Sequence, residues 1–443
     1  MTERVHLISL GCPKNRVDSE VMVGKLRSGP YELVDDPDSA DVIVVNTCSF
    51  IQSATEESID TILGMSRFKD QGTCKKLIVT GCMVQRYGQS LEGELPEVDF
   101  FLGTGEYHRI SEVLSKKKMA VRSFIDTPMY IHDEFAPRLP SWKPHSAYLK
   151  ISEGCNHRCA FCIIPTLRGK LRSRTVASLV SEAKKLAAQG VVELNLVSQD
   201  STSYGRDLKD GSDLGMLLRA LTLVDGIRWI RLHYAYPIGL PDSLLSAIAD
   251  EEKICRYIDI PLQHASGPVL KRMRRGVTRS GQERILSRIR NAIPDVTVRT
   301  TFIVGFPGET DQDFQELCDF VSDQSFDRVG VFTYSQEDGT AGATMDGQVE
   351  DHVKKERQAH LMELQREISK KRLSRHIGQE MDVLVDGPSE EFPLVKVART
   401  ATQAPDVDGV VYLDKAPEDV QAGMFTRVRI LQTSNYDMVG EVV

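Results

Sequence analysis

Short apolar runs alternate with helix-like stretches over the first quarter of the chain. The runs VHLISL, DVIVVN and KLIVT are rich in β-favouring residues, and each leads through a small residue or turn into a cysteine and then a helical pattern. Such alternation is typical of βαβ units around a parallel sheet, whose ligands bind beyond the carboxyl ends of the strands. The cysteines that follow the runs are therefore expected to converge on one point: Cys12, Cys48 and Cys82.

The same alternation resumes at Tyr148 and continues through six strand-like runs. These are AYLKIS, VELNLVS, WIRLHY, YIDIPLQ, VRTTFIVG and RVGVFTY, and helical patterns such as TVASLVSEAKKLAAQ separate them. Six successive β-then-α units predict a partial parallel barrel, (β/α)6, whose active site is built by loops at the carboxyl ends of the strands. Residues 127–144, TPMYIHDEFAPRLPSWKP, are rich in proline without clean periodicity and indicate a linker.

The pattern changes again near the end of the chain. Residues 351–377 read as one long charged helix, and five short alternating runs broken by Gly and Pro follow it: QEMDVLVDG, LVKVART, DGVVYL, RVRILQT and YDMVGEVV. These runs predict a small antiparallel β-barrel. The predicted α/β architecture has an N-terminal parallel sheet domain at 1–126, the linker at 127–144, a barrel domain at 145–376 and the small β-barrel at 377–443.

Composition narrows the classes of protein that fit this architecture. A length of 443 residues suits about three domains. No apolar run approaches the ~20 residues that span a bilayer, and the charged start MTERVHLISLGCPKN does not resemble a signal peptide. We expect a cytoplasmic protein without membrane contact. There the nine cysteines stay reduced, and their odd number disfavours a disulfide framework. A net charge of −8 argues against a general nucleic-acid binder.

The segment GCNHRCAFC places three cysteines on the loop after the first barrel strand: Cys155, Cys159 and Cys162. Thiolates are soft ligands that suit zinc or iron–sulfur clusters. A zinc site with His157 as fourth ligand is one alternative, although structural zinc usually takes paired Cys-x2-Cys knuckles. A 4Fe-4S cluster is favoured, because full ligation takes four cysteines and three leave one iron with an open coordination position.

The remaining cysteines carry a plainer interpretation. Any one cysteine of the N-terminal set alone would read as a small core hydrophobe, but three at equivalent strand ends favour a common ligand. Cys74 lies in the polar loop DQGTCKK with no strand before it, and it is not assigned to the site. Cys255 and Cys318 lie in helix-like, amphipathic surroundings and are expected to be structural.

With these motifs the chain resembles the radical S-adenosylmethionine methylthiotransferases along its whole length. The Cys-x3-Cys-x-Phe-Cys loop is similar to the loop that gives the radical S-adenosylmethionine superfamily its cluster, and Phe161 occupies the aromatic position. The resemblance implies a 4Fe-4S cluster on the barrel loop, whose open iron binds S-adenosylmethionine and whose electron yields a 5′-deoxyadenosyl radical. It implies a second 4Fe-4S cluster on the N-terminal cysteines, for sulfur delivery, and a TRAM-like C-terminal barrel.

Further candidate cofactor-binding residues follow the second and third barrel strands. VSQDSTSYG offers Ser198, Gln199 and Asp200, and RLHYAYP offers Arg231 and His233. By position these face the mouth of the predicted site, and an ordinary solvated loop is the alternative. GFPGET, residues 305–310, lacks the lysine of a P-loop and is expected to form a turn after the fifth strand near the adenosyl ligand.

The resemblance also bears on the substrate. SLGCPKNRVDSE, CAFCIIPTLRGKLRSR, YIDIPLQHAS and FTYSQEDGT are similar to the branch that modifies a ribosomal protein, whereas the tRNA branch usually has Gly-Cys-Gln-Met-Asn at the first cysteine. In the predicted C-terminal barrel, Ala398 precedes Arg399 at a position where the family usually has glycine. The branch implies methylthiolation of the β-carbon of an aspartate in ribosomal protein S-twelve, with a one-electron donor such as flavodoxin or ferredoxin.

Charge gives separate information on the partner. Residues 378–443 contain five basic and twelve acidic residues, a formal net charge of −7. An RNA-binding module is expected to be basic, so an acidic one suits a basic protein, although a solvated face is the alternative. The basic tracts 167–174 and 271–280 keep a tRNA adenosine as the alternative substrate. A third hypothesis is a non-catalytic iron–sulfur scaffold or RNA-binding protein, which would not cleave S-adenosylmethionine.

Overall fold

Three β-sheets follow one another along the chain in the computed structural model, which describes residues 2–115, 121–141 and 143–443. The first sheet has the order β2-β1-β3-β4-β5-β6 with every pair parallel. Its strands are β1 Glu3–Ser9, β2 Tyr31–Leu33, β3 Val42–Thr47, β4 Lys76–Gly81, β5 Phe100–Leu102 and β6 Ser123–Phe124. Its helices are α1 Pro13–Arg27, α2 Gln52–Ser66, α3 Phe68–Gln71, α4 Cys82–Tyr87, α5 Ser90–Glu94 and α6 Ile110–Ser115.

The central sheet has the order β14-β13-β12-β11-β10-β7, again with every pair parallel, and β7 and β14 form its two edges. This confirms the partial (β/α)6 barrel. The strands are β7 Ser146–Lys150, β10 Glu193–Val197, β11 Trp229–Leu232, β12 Ile254–Asp259, β13 Thr297–Val304 and β14 Arg328–Thr333, with the hairpin β8 Ser152–Glu153 and β9 Arg172–Ser173. The helices are α7 Ile164–Arg168, α8 Val176–Ala188, α9 Leu214–Thr222, α10 Asp242–Asp250, α11 Gly267–Arg272, α12 Arg279–Ala292, α13 Asp311–Gln324 and α14 Asp351–Leu373.

The sequence predicts helix-like surroundings for two structural cysteines, Cys255 and Cys318. Cys318 lies on α13 and is buried, as predicted. The helix-like reading of Cys255 is wrong, because this residue lies on β12. Its segment does not alternate cleanly, since five of the six strand residues are buried. The thiol belongs to an apolar cluster with Trp229 and Tyr257 that the C-terminal barrel covers.

The C-terminal sheet closes into a five-stranded barrel, which is confirmed. Its strands are β15 Glu380–Pro388, β16 Lys396–Thr400, β17 Val411–Asp414, β18 Phe425–Thr433 and β19 Met438–Val442. The closed order is β15-β16-β17-β19-β18, and β17 and β19 pair in parallel, which differs from the wholly antiparallel barrel that the sequence predicts. After β17 the chain crosses the barrel to place β18 beside β15, and β19 then returns along β17.

The C-terminal barrel is docked on the amino ends of the central strands. Trp229, at the start of β11, meets Phe425 edge-on with ring centroids 4.9 Å apart. Leu384 of the barrel shares an apolar cluster with Trp229 and Tyr257. None of the helices in the described ranges combines the length and the apolar character that crossing a bilayer requires. The carboxyl ends of the central strands, where the cysteine loop lies, are thus left for the N-terminal domain.

Candidate active site

The three N-terminal cysteines lie at the carboxyl ends of three neighbouring strands, as the sequence predicts. Cys12 ends the loop after β1, Cys48 follows β3 and Cys82 follows β4. Gly11 has a φ of +85°, and a Cβ there would lie 2.6 Å from Cys48 Cβ and 2.9 Å from its Sγ. Glycine is therefore required where the first cysteine loop passes the second cysteine. We refer to these residues as the N-terminal triad.

Two cations, Lys14 and Arg168, lie near the N-terminal triad. Burial raises the pKa of Cys12, but Lys14 and Arg168 outweigh it, and the pKa lies below its usual value. Burial raises the pKa of Cys82 to about 11, and Arg168 Nη2 donates a hydrogen bond to its Sγ at 3.3 Å. Thiolates are the form that binds metals. The nearby cations thus favour the ligand form against the cost of burial.

The other three cysteines, Cys155, Cys159 and Cys162, form the barrel triad on the loop between β8 and α7. Burial raises the pKa of Cys155 to about 11 and that of Cys162 to about 12. Arg275 Nη1 donates a hydrogen bond to Cys159 Sγ at 3.6 Å. Each triad therefore has a buried arginine on one of its sulfurs, which suits an anionic inorganic cluster with thiolate ligands.

His157 lies on the loop of the barrel triad and has two partners within the protein. Its Nε2 lies 2.7 Å from Asp200 Oδ2, and its ring stacks on Tyr236 with centroids 3.8 Å apart. Among residues 2–115, 121–141 and 143–443, no three His, Cys, Asp or Glu side chains are grouped to hold a single metal ion.

Three predicted cofactor-binding residues lie beside the barrel triad. Asp200 contacts His157, as described. Gln199 Nε2 donates to Glu153 next to the loop, while its buried Oε1 has no protein partner in the described structure. Phe161 packs against the apolar cluster of Ala160, Val269, Met273, Phe306 and Tyr334. The unpaired amide oxygen is a free acceptor at the mouth of the barrel and fits a polar cofactor group.

Three other predicted residues face elsewhere: Ser198, Arg231 and His233. Ser198 is fully buried, and its hydroxyl lies 2.9 Å from Ser201 Oγ. The expectation that Arg231 lies at the cofactor is not met by its contacts. Its guanidinium lies against Glu193 and donates to Ala401 O at 2.7 Å, at the amino ends of the strands. His233 contacts the neighbouring strand β10, with its Nε2 3.3 Å from Asn195 Oδ1.

The GFPGET segment forms the expected turn. It begins where β13 ends, and Glu309 Oε2 accepts hydrogen bonds from Gly305 N at 2.7 Å and Phe306 N at 3.2 Å. Arg357 Nη1 donates to Glu309 Oε1 at 2.9 Å. A carboxylate of the chain itself thus takes the backbone donors that a phosphate would occupy in a P-loop.

The N-terminal triad packs against the segment that follows the barrel triad. Cys82 belongs to a buried cluster with Ile163, which follows Cys162, and with Leu167. Thr104 Oγ1 of the N-terminal domain donates to Leu167 O at 2.5 Å. The helix that begins two positions after Cys162 therefore lies against the N-terminal site.

Known proteins resemble this chain over its full length. Residues 4–103 match the uncharacterized protein family UPF0004, residues 149–321 the radical SAM superfamily, and residues 377–443 the TRAM domain. The protein of Geobacter sulfurreducens named ribosomal protein uS12 methylthiotransferase RimO is 48% identical, and the alignment covers 100% of this chain and 99% of the relative. The protein of the same name from Anaeromyxobacter sp. (strain Fw109-5) is 51% identical, with 100% and 93% covered. The chain belongs to the ribosomal protein uS12 methylthiotransferase family.

Solved structures support the fold of this uS12 methylthiotransferase family member. The radical S-adenosylmethionine methyltransferase TsrM from Kitasatospora setae has a TM-score of 0.54 at 15% identity, with 75% of each chain covered. The cobalamin-dependent S-adenosylmethionine radical enzyme OxsB has a TM-score of 0.54 at 13% identity, with 82% of this chain and 56% of that chain covered. At such identities the likeness concerns the fold alone.

Three side chains of the site were not singled out from the sequence: Arg168, Tyr236 and Arg275. The two arginines lie in the basic tracts 167–174 and 271–280, which as whole tracts suggest an RNA substrate. Tyr236 lies three residues after His233 in RLHYAYP. Closeness in sequence to the cysteine loop could have indicated Arg168 as a site residue. It could not have indicated Arg275, which is 116 positions from Cys159.

Proposed function

We propose that the protein adds a methylthio group to the β-carbon of an aspartate in ribosomal protein uS12, that is, S-twelve, by radical S-adenosylmethionine chemistry. The observation that carries the proposal is the packing of Cys82 in one buried cluster with Leu167 and with Ile163, the residue that follows Cys162. The radical formed on the substrate carbon has to react with sulfur before it undergoes side reactions. The site that generates the radical and the site that delivers the sulfur therefore have to lie close together. The names of the full-length relatives support the same reaction.

The proposed cofactors are two 4Fe-4S clusters, one on each triad, and S-adenosylmethionine. When bound, the barrel cluster supplies an electron for cleavage of S-adenosylmethionine, and the resulting radical takes hydrogen from an unactivated carbon, which no side-chain base can do. Around it, Arg275 holds Cys159, and Asp200 fixes the His157 ring on Tyr236. Sulfur is delivered at the N-terminal triad. The electron comes from a donor such as flavodoxin or ferredoxin.

Charge supports a basic protein as the substrate. Asp386 of the C-terminal barrel is buried in ion pairs with Arg399, but further acidic residues remain exposed: Glu390, Glu391, Glu418 and Asp419. The basic tracts give less support to RNA than their sequence suggests, because Arg168, Arg174 and Arg275 are buried and bound within the protein. Modification of a ribosomal protein would take place in the cytoplasm.

Separate replacement of the two triads tests the reaction. Anaerobically reconstituted protein is expected to hold about eight irons, four for each cubane. Replacing the barrel triad with Ala should abolish cleavage of S-adenosylmethionine. Replacing the N-terminal triad should leave cleavage measurable and stop methylthiolation of uS12, read by mass spectrometry of the protein. Normal methylthiolation by the N-terminal variant would contradict the sulfur-delivery role, and a product on tRNA adenosine alone would contradict the substrate.

Charge reversal tests the docking surface. Changing the four exposed acids to Lys (Glu390, Glu391, Glu418 and Asp419) should weaken binding of uS12, because it removes the attraction to a basic protein. The effect should fall with added salt, since charges are screened over about 8 Å at physiological ionic strength. Cleavage of S-adenosylmethionine without uS12 serves as the control and should stay near its original rate. Unchanged affinity for uS12 would show that the acidic face is only a solvated surface.

A further inference from the structure

Arg168 is a buried arginine that joins the two cysteine sites. Its side chain is 2% exposed, and it is the last residue of α7, the helix that starts two positions after Cys162. Besides its hydrogen bond to Cys82 Sγ at 3.3 Å, Nη2 donates to Asn15 Oδ1 at 3.0 Å. The guanidinium thus belongs to the barrel domain by sequence and to the N-terminal triad by contact.

Two carboxylates hold the other side of this guanidinium. Nη1 donates to Asp18 Oδ2 at 2.6 Å and lies 3.4 Å from Glu153 Oε2, and Lys150 Nζ donates to both carboxylates. Two cations and two anions balance one another. Arg168 therefore acts on Cys82 as an oriented donor more than as an excess charge.

We propose that Arg168 is a positioning residue that raises the reduction potential of the cluster on the N-terminal triad. Hydrogen bonds to the sulfurs are among the features that set the potential of an iron–sulfur cluster. A donor on a ligand sulfur stabilises the reduced cluster more than the oxidised one, because the reduced cluster carries one more negative charge. The inference rests on the proposed function, since it takes Cys82 as a cluster ligand.

The test is a redox titration of the full-length chain with the barrel triad replaced by Ala, so that a single cluster titrates. The midpoint potential is read from the electron paramagnetic resonance signal of the reduced cluster. Arg168→Gln removes the guanidinium, and Arg168→Lys keeps the charge but not the planar fork of donors. We expect Arg168→Gln to lower the equilibrium constant for reduction at least tenfold, which is 59 mV for one electron, and Arg168→Lys to lower it by less.

Arg174→Gln is the matched control, because it removes another buried arginine, which donates to Glu182 and Ser178. Its potential should equal that of the parent chain. Equal potentials in the parent and both Arg168 variants, with about four irons bound, would overturn the inference and leave the proposed function standing. If the Gln variant loses its iron, the Lys variant decides by the same comparison. A parent chain that binds no iron would overturn the proposed function and the inference together.

Discussion

Glu193 is the buried carboxylate that ties the C-terminal barrel to the central sheet. It is fully buried at the start of β10 and accepts hydrogen bonds from Arg399 Nη2 at 2.8 Å and Nη1 at 3.1 Å, from Arg231 Nη2 at 3.2 Å and from Ser146 Oγ at 2.8 Å. Glu193→Gln keeps the size of the side chain and removes its charge. The substitution therefore leaves two buried guanidinium groups without their shared counter-ion.

The pKa of Glu193 gives the size of this effect. Burial raises it, but Arg399 and Arg231 lower it further, from 4.5 to about 2. Since one pKa unit corresponds to about 1.36 kcal/mol, the ionised form contributes about 3 kcal/mol. Loss of one partner of a buried ion pair typically costs about 3–5 kcal/mol. Both routes predict that Glu193→Gln weakens the docking of the C-terminal barrel on the central sheet by about 3 kcal/mol.

Trp229 provides the signal for the assay, because it packs on Phe425 across this interface. In a background with Trp142→Phe, its fluorescence in urea at pH 7 should show undocking of Glu193→Gln at lower denaturant. The control is Glu251→Gln, which breaks an ion pair to Arg219 in which both side chains are about a third or more exposed (32% and 41%) and should cost at most about 1 kcal/mol.

The pH dependence has a fixed sign. The folded-state pKa of Glu193 is depressed, so its contribution is complete above 4.5 and is lost as the pH falls towards about 2. The difference between the original chain and Glu193→Gln should therefore be constant near neutral pH and shrink over that acidic interval. A Glu193→Gln transition no earlier than that of Glu251→Gln, or a difference that grows in acid, would refute the reasoning.

Two further predictions concern the N-terminal triad and its support. Glu337→Gln should cost about 3–5 kcal/mol, because Glu337 Oε2 pairs with the buried Arg86 of α4 at 2.7 Å. It should also speed amide hydrogen exchange at the start of α2, because Glu337 Oε1 accepts a hydrogen bond from Gln52 N at 2.7 Å; unchanged exchange would count against this. Gly11→Ala should lower the iron held by the N-terminal triad, because the new Cβ would press on Cys48, whereas Gly64→Ala, with nothing within 4 Å, should bind the normal amount. Equal iron in both glycine variants would contradict the steric argument.

Local pattern was enough to predict the strands and the meeting of the N-terminal cysteines. In parallel sheets, strand direction alone brings residues such as Cys12 and Cys82 to one edge, whatever their separation along the chain. The orientation of Arg231 was not predictable in this way. Its neighbour Leu232 ends β11, so position suggested the mouth of the barrel, but a long side chain bends to the nearest buried carboxylate, and Glu193 lies at the opposite end.

Contacts between domains also could not be predicted from the pattern of hydrophobic and polar residues. Arg168 is separated by 86 positions from Cys82, and Arg86 by 251 from Glu337. Each pair joins one domain to another, and periodicity within an element says nothing about such pairs. The N-terminal site therefore depends on partners that only the folded chain identifies.

The length of α7 limits how the two triads move relative to each other. Cys162 and Arg168 are six positions apart, and the five residues of α7 that end at Arg168 span about 7.5 Å. One is a proposed ligand of the barrel cluster, and the other contacts a sulfur of the N-terminal triad. Ile163 and Leu167 share a buried cluster with Cys82. A large separation of the domains would therefore expose these three side chains and separate Arg168 from its partners in the N-terminal domain. Sulfur transfer in the proposed reaction is therefore expected to proceed between fixed sites, with the substrate aspartate brought to both.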